Sequence, residues 1–302
     1  MKTQRLQAKA AEWQVTLNET RETATAQLGF GVRDGRRVVL KLTNVSDEAH
    51  AGKVLQAFAG SGAVTVYEAE TGAVLLERLE PGEQLVSLVR RGEDDEATKI
   101  LAQVIGKLAN HVAPEECPTV ADWGRGFDRY VRSGDRQIPH GLVCEALEVY
   151  EHLAASQGST MLLHGDLQHY NVLFDSDRGW IAIDPKGVVG ELEYEVGALL
   201  RNPIEQPELF TSPATIERRL EILTTKLPLN HTRALQWTFA QAVLSAIWDV
   251  EDGYPVNPNH PVLLLANTIL QFCNPVDVTR TEVLGTRNRE PTQVRCVRRR
   301  RS

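Results

Sequence analysis

The polar segment His164–Asn171, with the sequence HGDLQHYN, carries the residue types that phosphoryl transfer requires. Transfer of a phosphoryl group from a nucleotide needs a carboxylate that orients the attacking hydroxyl, and oxygen ligands that hold magnesium on the phosphates. Asp166 fits the first role. Asn171 fits the second together with Asp184, which follows it by 13 positions in the sequence.

A predicted hairpin explains how the two metal-ligand candidates meet. Val172–Phe174 and Trp180–Ile183 are short apolar strands separated by a turn. The hairpin brings its two ends, at Asn171 and Asp184, close together in space. A surface turn without chemistry is the alternative interpretation, and the flanking strands and the second aspartate weigh against it.

The same segment contains two histidines. A histidine two residues before the catalytic carboxylate can hold the loop by hydrogen bonds, so we expect His164 to be structural rather than a direct acid or base. The sequence assigns no role to His169.

The first third of the chain predicts strands and one helix. Residues 24–42 and 64–78 each form a β-hairpin around a turn, and Asp47–Phe58 has the apolar spacing of a helix. Pro81 and Gly82 are expected to end this β-rich region.

The β-rich region supplies candidate nucleotide contacts. Lys41 ends an apolar strand, where it needs a partner such as a phosphate, and Glu48 could pair with it; the alternatives are an exposed edge lysine and a helix N-terminal acid. The linker Glu77-Arg78-Leu79 is expected to offer backbone groups to adenine. The expected phosphate loop, Thr20–Gln27, lacks a glycine-rich pattern and would use its threonines.

Helices dominate the rest of the chain. Their predicted ranges are 94–111, 142–153, 193–200, 233–248 and 262–272. We therefore expect a β-rich nucleotide-binding lobe at 1–80, a helical catalytic and acceptor-binding lobe at 81–273, and a basic, disordered tail at 274–302.

Asp184 is followed within about ten residues by an ordinary helix, which leaves little room for the peptide platform of a protein kinase. A small acceptor is favoured.

The distribution of charge indicates a cationic acceptor. Residues 277–302 contain eight arginines and three acids, which gives them a net charge of +5. Since the whole chain has a net charge of −7, residues 1–276 have a net charge of −12. An acidic body attracts a cationic small molecule and is an unlikely partner for nucleic acid. The arginine run at 298–301 leaves a nucleic-acid binder as a minor alternative.

Four residues near a predicted helix end are the candidates for acceptor binding. They are Trp248, Asp249, Glu251 and Asp252. An aromatic ring beside carboxylates could stack on a sugar ring or guanidinium group. Solvated acids at a helix end are the alternative.

The sequence shows no targeting signal. The first residues lack the apolar core of a signal peptide, and no apolar run is long enough to span a bilayer. The four cysteines are widely spaced and form no zinc motif, so we expect free thiols in a cytoplasmic protein without membrane partners.

The motif HGDLQHYN, together with WIAIDPKGVVGELEYEVGALLRNP, resembles the aminoglycoside phosphotransferase superfamily, and within it the group of streptomycin 6-kinases and hydroxyurea-resistance kinases. The resemblance spans residues 29–270. It implies an α+β, protein-kinase-like fold of two lobes that uses ATP and Mg²⁺. It also implies catalysis by Asp166, metal binding by Asn171 and Asp184, and phosphate binding by Lys41 with Glu48.

The resulting expectation is an ATP-dependent small-molecule kinase that phosphorylates a hydroxyl of a streptomycin-like aminoglycoside. The sequence leaves two roles open for such a kinase, antibiotic resistance and metabolism. A kinase for an endogenous sugar or polyol is a sibling hypothesis, because such families reuse one catalytic loop for many acceptors. A nucleotide-binding regulator without catalysis is the other alternative. The intact Asp166, Asn171 and Asp184 argue against it.

Overall fold

The computed structural model describes residues 2–43 and 50–273. Its N-terminal part contains an antiparallel sheet of five strands. The strands are β1 (Thr16–Glu22), β2 (Ala26–Arg33), β3 (Arg36–Thr43), β4 (Val66–Glu70) and β5 (Ala73–Glu77). Their order across the sheet is β1-β2-β3-β5-β4. Both predicted hairpins are present, as β2–β3 and β4–β5.

Two helices flank the sheet: α1 (Lys2–Glu12) and α2 (Ala51–Ala57).

The alternation of side chains along β3 determines the face on which Lys41 lies. Val38, Leu40 and Leu42 are buried in a small core that includes residues of α1. Because successive side chains of a strand point to opposite faces, Lys41 lies on the other face. Helix α1 was not predicted, because its composition is mostly polar.

Short strands connect the lobes. They are β6 (Pro81–Gln84), β7 (Met161–Leu163), β8 (Val172–Asp175), β9 (Gly179–Ala182) and β10 (Val188–Gly190). β6, β8 and β9 form one antiparallel sheet, and β7 pairs with β10. The second hairpin ends before Pro81 and Gly82, as predicted: β5 ends at Glu77, and Pro81 begins β6 in a different sheet. This strand lies at the edge of its sheet, where a missing N–H is tolerated.

The remainder of the described chain is helical. Its helices are α3 (Val86–Arg90), α4 (Asp94–Leu108), α5 (Val120–Ser133), α6 (His140–Ala155), α7 (Leu192–Leu200), α8 (Pro207–Phe210), α9 (Pro213–Lys226), α10 (His231–Glu251) and α11 (Pro261–Cys273). α10 is buried over most of its length and contacts α5, α6, α7 and α11. The sequence predicted α4, α6, α7, α10 and α11.

Helix α5 shows why some helices were missed. It contains Gly124 and Gly126, which lower helix propensity. A Cβ at Gly124 would lie 2.6 Å from the ring of Tyr150, and one at Gly126 would lie 2.8 Å from Leu244. Close packing therefore requires the glycines.

Three further expectations concern membrane spans, cysteines and the tail. Within residues 2–43 and 50–273, no helix has both the length and the apolar character needed to cross a bilayer.

Cys117 is a buried free thiol, whereas Cys144 is disulfide-bonded, so the expectation of free thiols is wrong for Cys144. No spacing pattern in the sequence indicates this bond. The predicted tail, 274–302, lies outside the described residues.

Candidate active site

The candidate catalytic loop, His164–Asn171, lies between β7 and β8. The side-chain nitrogen of Asn171 donates to the backbone oxygen of Asp166 at 2.8 Å and to its carboxylate Oδ2 at 3.1 Å. These bonds fix the Asp166 carboxylate across the loop. They use the nitrogen of the Asn171 amide, so its oxygen is the atom that can ligate a cation.

Asp184 lies beside Asn171, as the predicted hairpin requires. The backbone N–H of Ile183 donates to the backbone oxygen of Asn171 at 2.9 Å. Asp184 has φ of +63°, a left-handed conformation that few non-glycine residues adopt. Its Oδ1 forms an ion pair with the Nζ of Lys41, whose side chain is only 11% exposed. The two lobes meet at this pair.

The oxygen donors fit magnesium held jointly with a nucleotide. Mg²⁺ in nucleotide sites is usually bound by one or two carboxylates together with phosphate oxygens. Asp184 and Asn171 supply one carboxylate and one amide oxygen. Across residues 2–43 and 50–273, no group of three or more His, Cys, Asp or Glu side chains could hold a metal by itself. The site therefore suits a metal that arrives with phosphates.

His164 is buried at the base of the loop. Its Nε2–H donates to the backbone oxygen of Ile183 at 2.9 Å, and its Nδ1 accepts from the backbone N–H of Asp166 at 3.3 Å. Burial lowers the pKa of His164 to about 4. The ring is neutral near pH 7, and its bonds support the structural role expected for it.

His169 is also buried, and neither ring nitrogen has a hydrogen-bond partner among the described residues. Burial lowers its pKa to about 3. The ring lies near the buried ion pair of Asp94 and Arg219, in which Nη2 and Oδ1 are 2.6 Å apart. A neutral histidine avoids repulsion by that guanidinium.

Glu195 of α7 anchors the loop and was missed by sequence reasoning. Its Oε2 accepts the backbone N–H of His164 at 2.6 Å, and its Oε1 accepts that of Gly165 at 3.0 Å. Burial raises the pKa of Glu195 to about 7, although backbone N–H groups oppose the shift. An acid within the apolar run of Leu192–Leu200 was the available signal.

A cavity of about 820 Å³ opens at Asp166. All four predicted acceptor-binding residues line it: Trp248, Asp249, Glu251 and Asp252. The rings of Trp123 and Trp248 meet edge to face, with centroids 5.7 Å apart. Aromatic surface and carboxylates thus share one wall.

The acids of the cavity differ in their surroundings. Arg129 donates to both carboxylate oxygens of Glu251, at 2.8 and 3.0 Å, so this acid is already engaged by a cation of the protein. Asp249 Oδ2 lies 3.6 Å from Nε2 of His260, and burial raises the Asp249 pKa. Asp252 is exposed at the end of α10.

Two cations near Asp166 were also missed. Arg201 is buried, its Nη1 donates to Gln241 at 3.1 Å, and its Nη2 lies 4.0 Å from Asp166 Oδ1. Burial raises the pKa of Asp166, whereas the charges of Arg201 and Lys186 lower it. Both cations follow the motif by many residues, which hid their proximity in the sequence.

The remaining predicted contacts occupy other positions. Glu77 accepts the backbone N–H of Thr65 at 2.7 Å and pairs with Arg178, and Leu79 is buried in the core. The Glu77 side chain is thus engaged by polar partners and that of Leu79 by the core, which leaves their backbone groups for a nucleotide. Glu48 lies outside the described residues.

The expected phosphate loop, Thr20–Gln27, consists of the ends of β1 and β2 and the turn between them. The Thr23 hydroxyl accepts the backbone N–H of Ala26 at 2.9 Å. This threonine therefore stabilises the turn.

Comparison with known proteins identifies the family. Residues 13–253 match the model of the aminoglycoside/hydroxyurea antibiotic resistance kinases. The chain belongs to this family. It is 32% identical to a streptomycin 3''-kinase of Klebsiella pneumoniae over 71% of this chain and 80% of that protein. It is also 32% identical to a hydroxyurea phosphotransferase of Kitasatospora aureofaciens, over 76% of this chain and 67% of that protein.

A streptomycin 6-kinase of Streptomyces griseus is 30% identical over 73% of each chain. The resemblance to this group is therefore confirmed. Among solved structures, a choline/ethanolamine kinase family protein from Mesorhizobium loti has a TM-score of 0.65 at 17% identity, covering 93% of this chain and all of that one. A thermostable mutant of the aminoglycoside phosphotransferase APH(4)-Ia has a TM-score of 0.59 at 16% identity, covering 93% of this chain and all of that one. The expected α+β, protein-kinase-like fold is confirmed.

Proposed function

We propose that this protein is an ATP-dependent kinase that phosphorylates a hydroxyl group of a cationic aminoglycoside. One observation carries the proposal: Asp166, the candidate catalytic carboxylate, opens into the same cavity as Asp249, Asp252 and two tryptophan rings. A hydroxyl bound against this wall would lie beside the carboxylate. Family membership and the streptomycin kinases among the relatives support the same reaction.

Asp166 accepts a hydrogen bond from the acceptor hydroxyl and orients its oxygen toward the γ-phosphorus of ATP. The new bond joins the acceptor oxygen to phosphorus while the bond from phosphorus to the β–γ bridging oxygen breaks. ADP leaves with the bridging oxygen, and the hydroxyl proton passes to Asp166 and then to solvent. Asn171 and Arg201 hold the carboxylate in place during this step.

Lys41 reaches the phosphates from the sheet lobe, and Asp184 and Asn171 would hold Mg²⁺. When bound there, the metal would neutralise charge on the phosphate oxygens. Thermostable mutants of APH(4)-Ia form complexes with AMP-PNP and with ADP, each together with hygromycin B, and these complexes support ATP as the donor.

Acceptor binding depends on the acidic and aromatic wall. Asp249 and Asp252 attract cationic groups, and the edge-to-face pair of Trp123 and Trp248 offers a surface for a ring. Glu251 is neutralised by Arg129, so it contributes less. A cavity of about 820 Å³ suits a drug-sized molecule, which favours an aminoglycoside over hydroxyurea, a molecule of only a few heavy atoms.

The proposal is tested by incubating the protein with ATP, Mg²⁺ and a panel of streptomycin, hygromycin B, hydroxyurea, glucose and myo-inositol. ADP release and the mass of each product are measured. Phosphorylated streptomycin is expected. Transfer to glucose or myo-inositol alone would favour the sugar or polyol alternative, and binding of ATP without any transfer would favour a regulator.

A further inference from the structure

The catalytic loop provides no permanent positive charge for the transferring group. His164–Asn171 contains neither lysine nor arginine. During transfer, negative charge spreads over the three equatorial oxygens of the phosphoryl group, and fixed cations that face these oxygens lower the barrier. Lys41 approaches from the sheet lobe, where it pairs with Asp184. A cation on the acceptor side must therefore come from another segment.

We propose that Lys186 is a further catalytic residue, whose ammonium group contacts the transferring phosphoryl group on the acceptor side of Asp166. The inference rests on the proposed phosphoryl transfer and extends it to a residue outside the catalytic loop. Lys186 lines the cavity together with Gly165 and Asp166. Its charge interacts favourably with the Asp166 carboxylate, which places the two groups in one electrostatic site.

Both lobes hold the backbone of Lys186. Its N–H donates to the backbone oxygen of His164 at 2.9 Å, and the N–H of Gly187 donates to the same oxygen at 3.0 Å. On the other side, Nε2 of His50, at the start of α2, lies 2.8 Å from the backbone oxygen of Lys186. The backbone from which the lysine side chain extends is thus fixed relative to the catalytic loop.

Two glycines allow this close arrangement. A Cβ at Gly165 would lie 3.5 Å from the Cβ of Lys186 and 2.8 Å from Cη2 of Trp123, so the lysine begins next to the residue that precedes Asp166. A Cβ at Gly187 would lie 2.4 Å from Cγ2 of Val54, which lets α2 pack directly against this segment. Both glycines also have positive φ.

Lys186 and Arg201 then have different tasks. Arg201 is buried, bonds to Gln241 and lies 4.0 Å from Asp166, which suits it to orient the carboxylate. An ammonium group is a compact point charge with three donors and binds phosphate oxygens without a fixed plane. Lys186 therefore suits a group whose oxygens move during the reaction.

The test compares Lys186→Met and Lys186→Arg with the parent protein. Lys99→Met serves as the matched control, because Lys99 is an exposed residue of α4 paired with Glu96. Affinities for ADP and for ADP with aluminium fluoride, a mimic of the planar phosphoryl group, are measured by calorimetry in the presence of Mg²⁺. Turnover of streptomycin and the melting temperature are measured in parallel.

We expect Lys186→Met to lower kcat by about 10²-fold. The affinity gained from aluminium fluoride should fall by a similar factor, while ADP affinity and melting temperature stay near those of the parent. Lys186→Arg should recover much of the loss. The inference is overturned if the parent gains nothing from aluminium fluoride, or if Lys186→Met gains as much as the parent. The parent protein could fail to phosphorylate streptomycin and still gain affinity for ADP from aluminium fluoride, with Lys186→Met losing that gain. This result would refute the aminoglycoside proposal and support the role of Lys186.

Discussion

Replacing Glu195 by alanine should damage both stability and catalysis through the loop that it anchors. The substitution removes the acceptor of two backbone N–H groups, the buried one of His164 and the partly buried one of Gly165, bonded at 2.6 and 3.0 Å. A buried donor left without a partner costs about 1–3 kcal/mol. One buried donor and one partly buried donor give a predicted loss of about 3 kcal/mol in the free energy of unfolding.

The same change should lower kcat by about 10²-fold, because a displacement of about 1 Å at the reacting groups costs a factor of this size. Urea unfolding and steady-state kinetics measure the two effects. Glu148→Ala is the matched control, since Glu148 is an exposed residue in the interior of α6 and should change stability by less than about 0.5 kcal/mol. The reasoning is refuted if Glu195→Ala matches this control in stability and retains the kcat of the parent.

Three other predictions concern pH, metal and acceptor. As the pH rises from about 5 to about 7, the carboxyl of Glu195 holds a proton in the folded state but not in the unfolded state, so the stability of the parent should fall by about 2 kcal/mol more than that of Glu195→Gln. Equal slopes in urea unfolding would contradict this. Asp184→Ala should raise the Mg²⁺ and ATP concentrations needed for half-maximal rate by about tenfold or more, and an unchanged Mg²⁺ titration would count against its metal role. Joint replacement of Asp249 and Asp252 by asparagine should raise the KM of the acceptor by about tenfold and leave the KM of ATP unchanged. It should also weaken the dependence of the acceptor KM on salt concentration. Kinetics identical to those of the parent would show that the cation binds at another site.

Local patterns made much of the fold predictable. The two hairpins and the helices α4, α6 and α10 have clear apolar periodicity, which is set by burial of one face. Helix α1 is mostly polar and is buried through few residues, such as Leu6 and Ala10, so its pattern was weak. Helix α5 depends on glycines that only tertiary packing explains.

The candidate site was predictable where one segment carries the chemistry. The types and spacing of Asp166, Asn171 and Asp184 are enough to restrict the possible reactions to a few. Glu195 and Arg201 act through contacts with distant residues, and a single sequence does not record such contacts. Their identification required the packing of α7 beneath the loop.

The most direct test of the central claim is the mass of streptomycin after incubation with ATP, Mg²⁺ and either the parent protein or Asp166→Asn. The parent should yield streptomycin carrying one added phosphoryl group. Asp166→Asn should form this product about 10³-fold more slowly while binding ADP normally, because the carboxylate contacts the acceptor rather than the nucleotide. Equal rates of product formation by the two proteins would contradict the catalytic assignment.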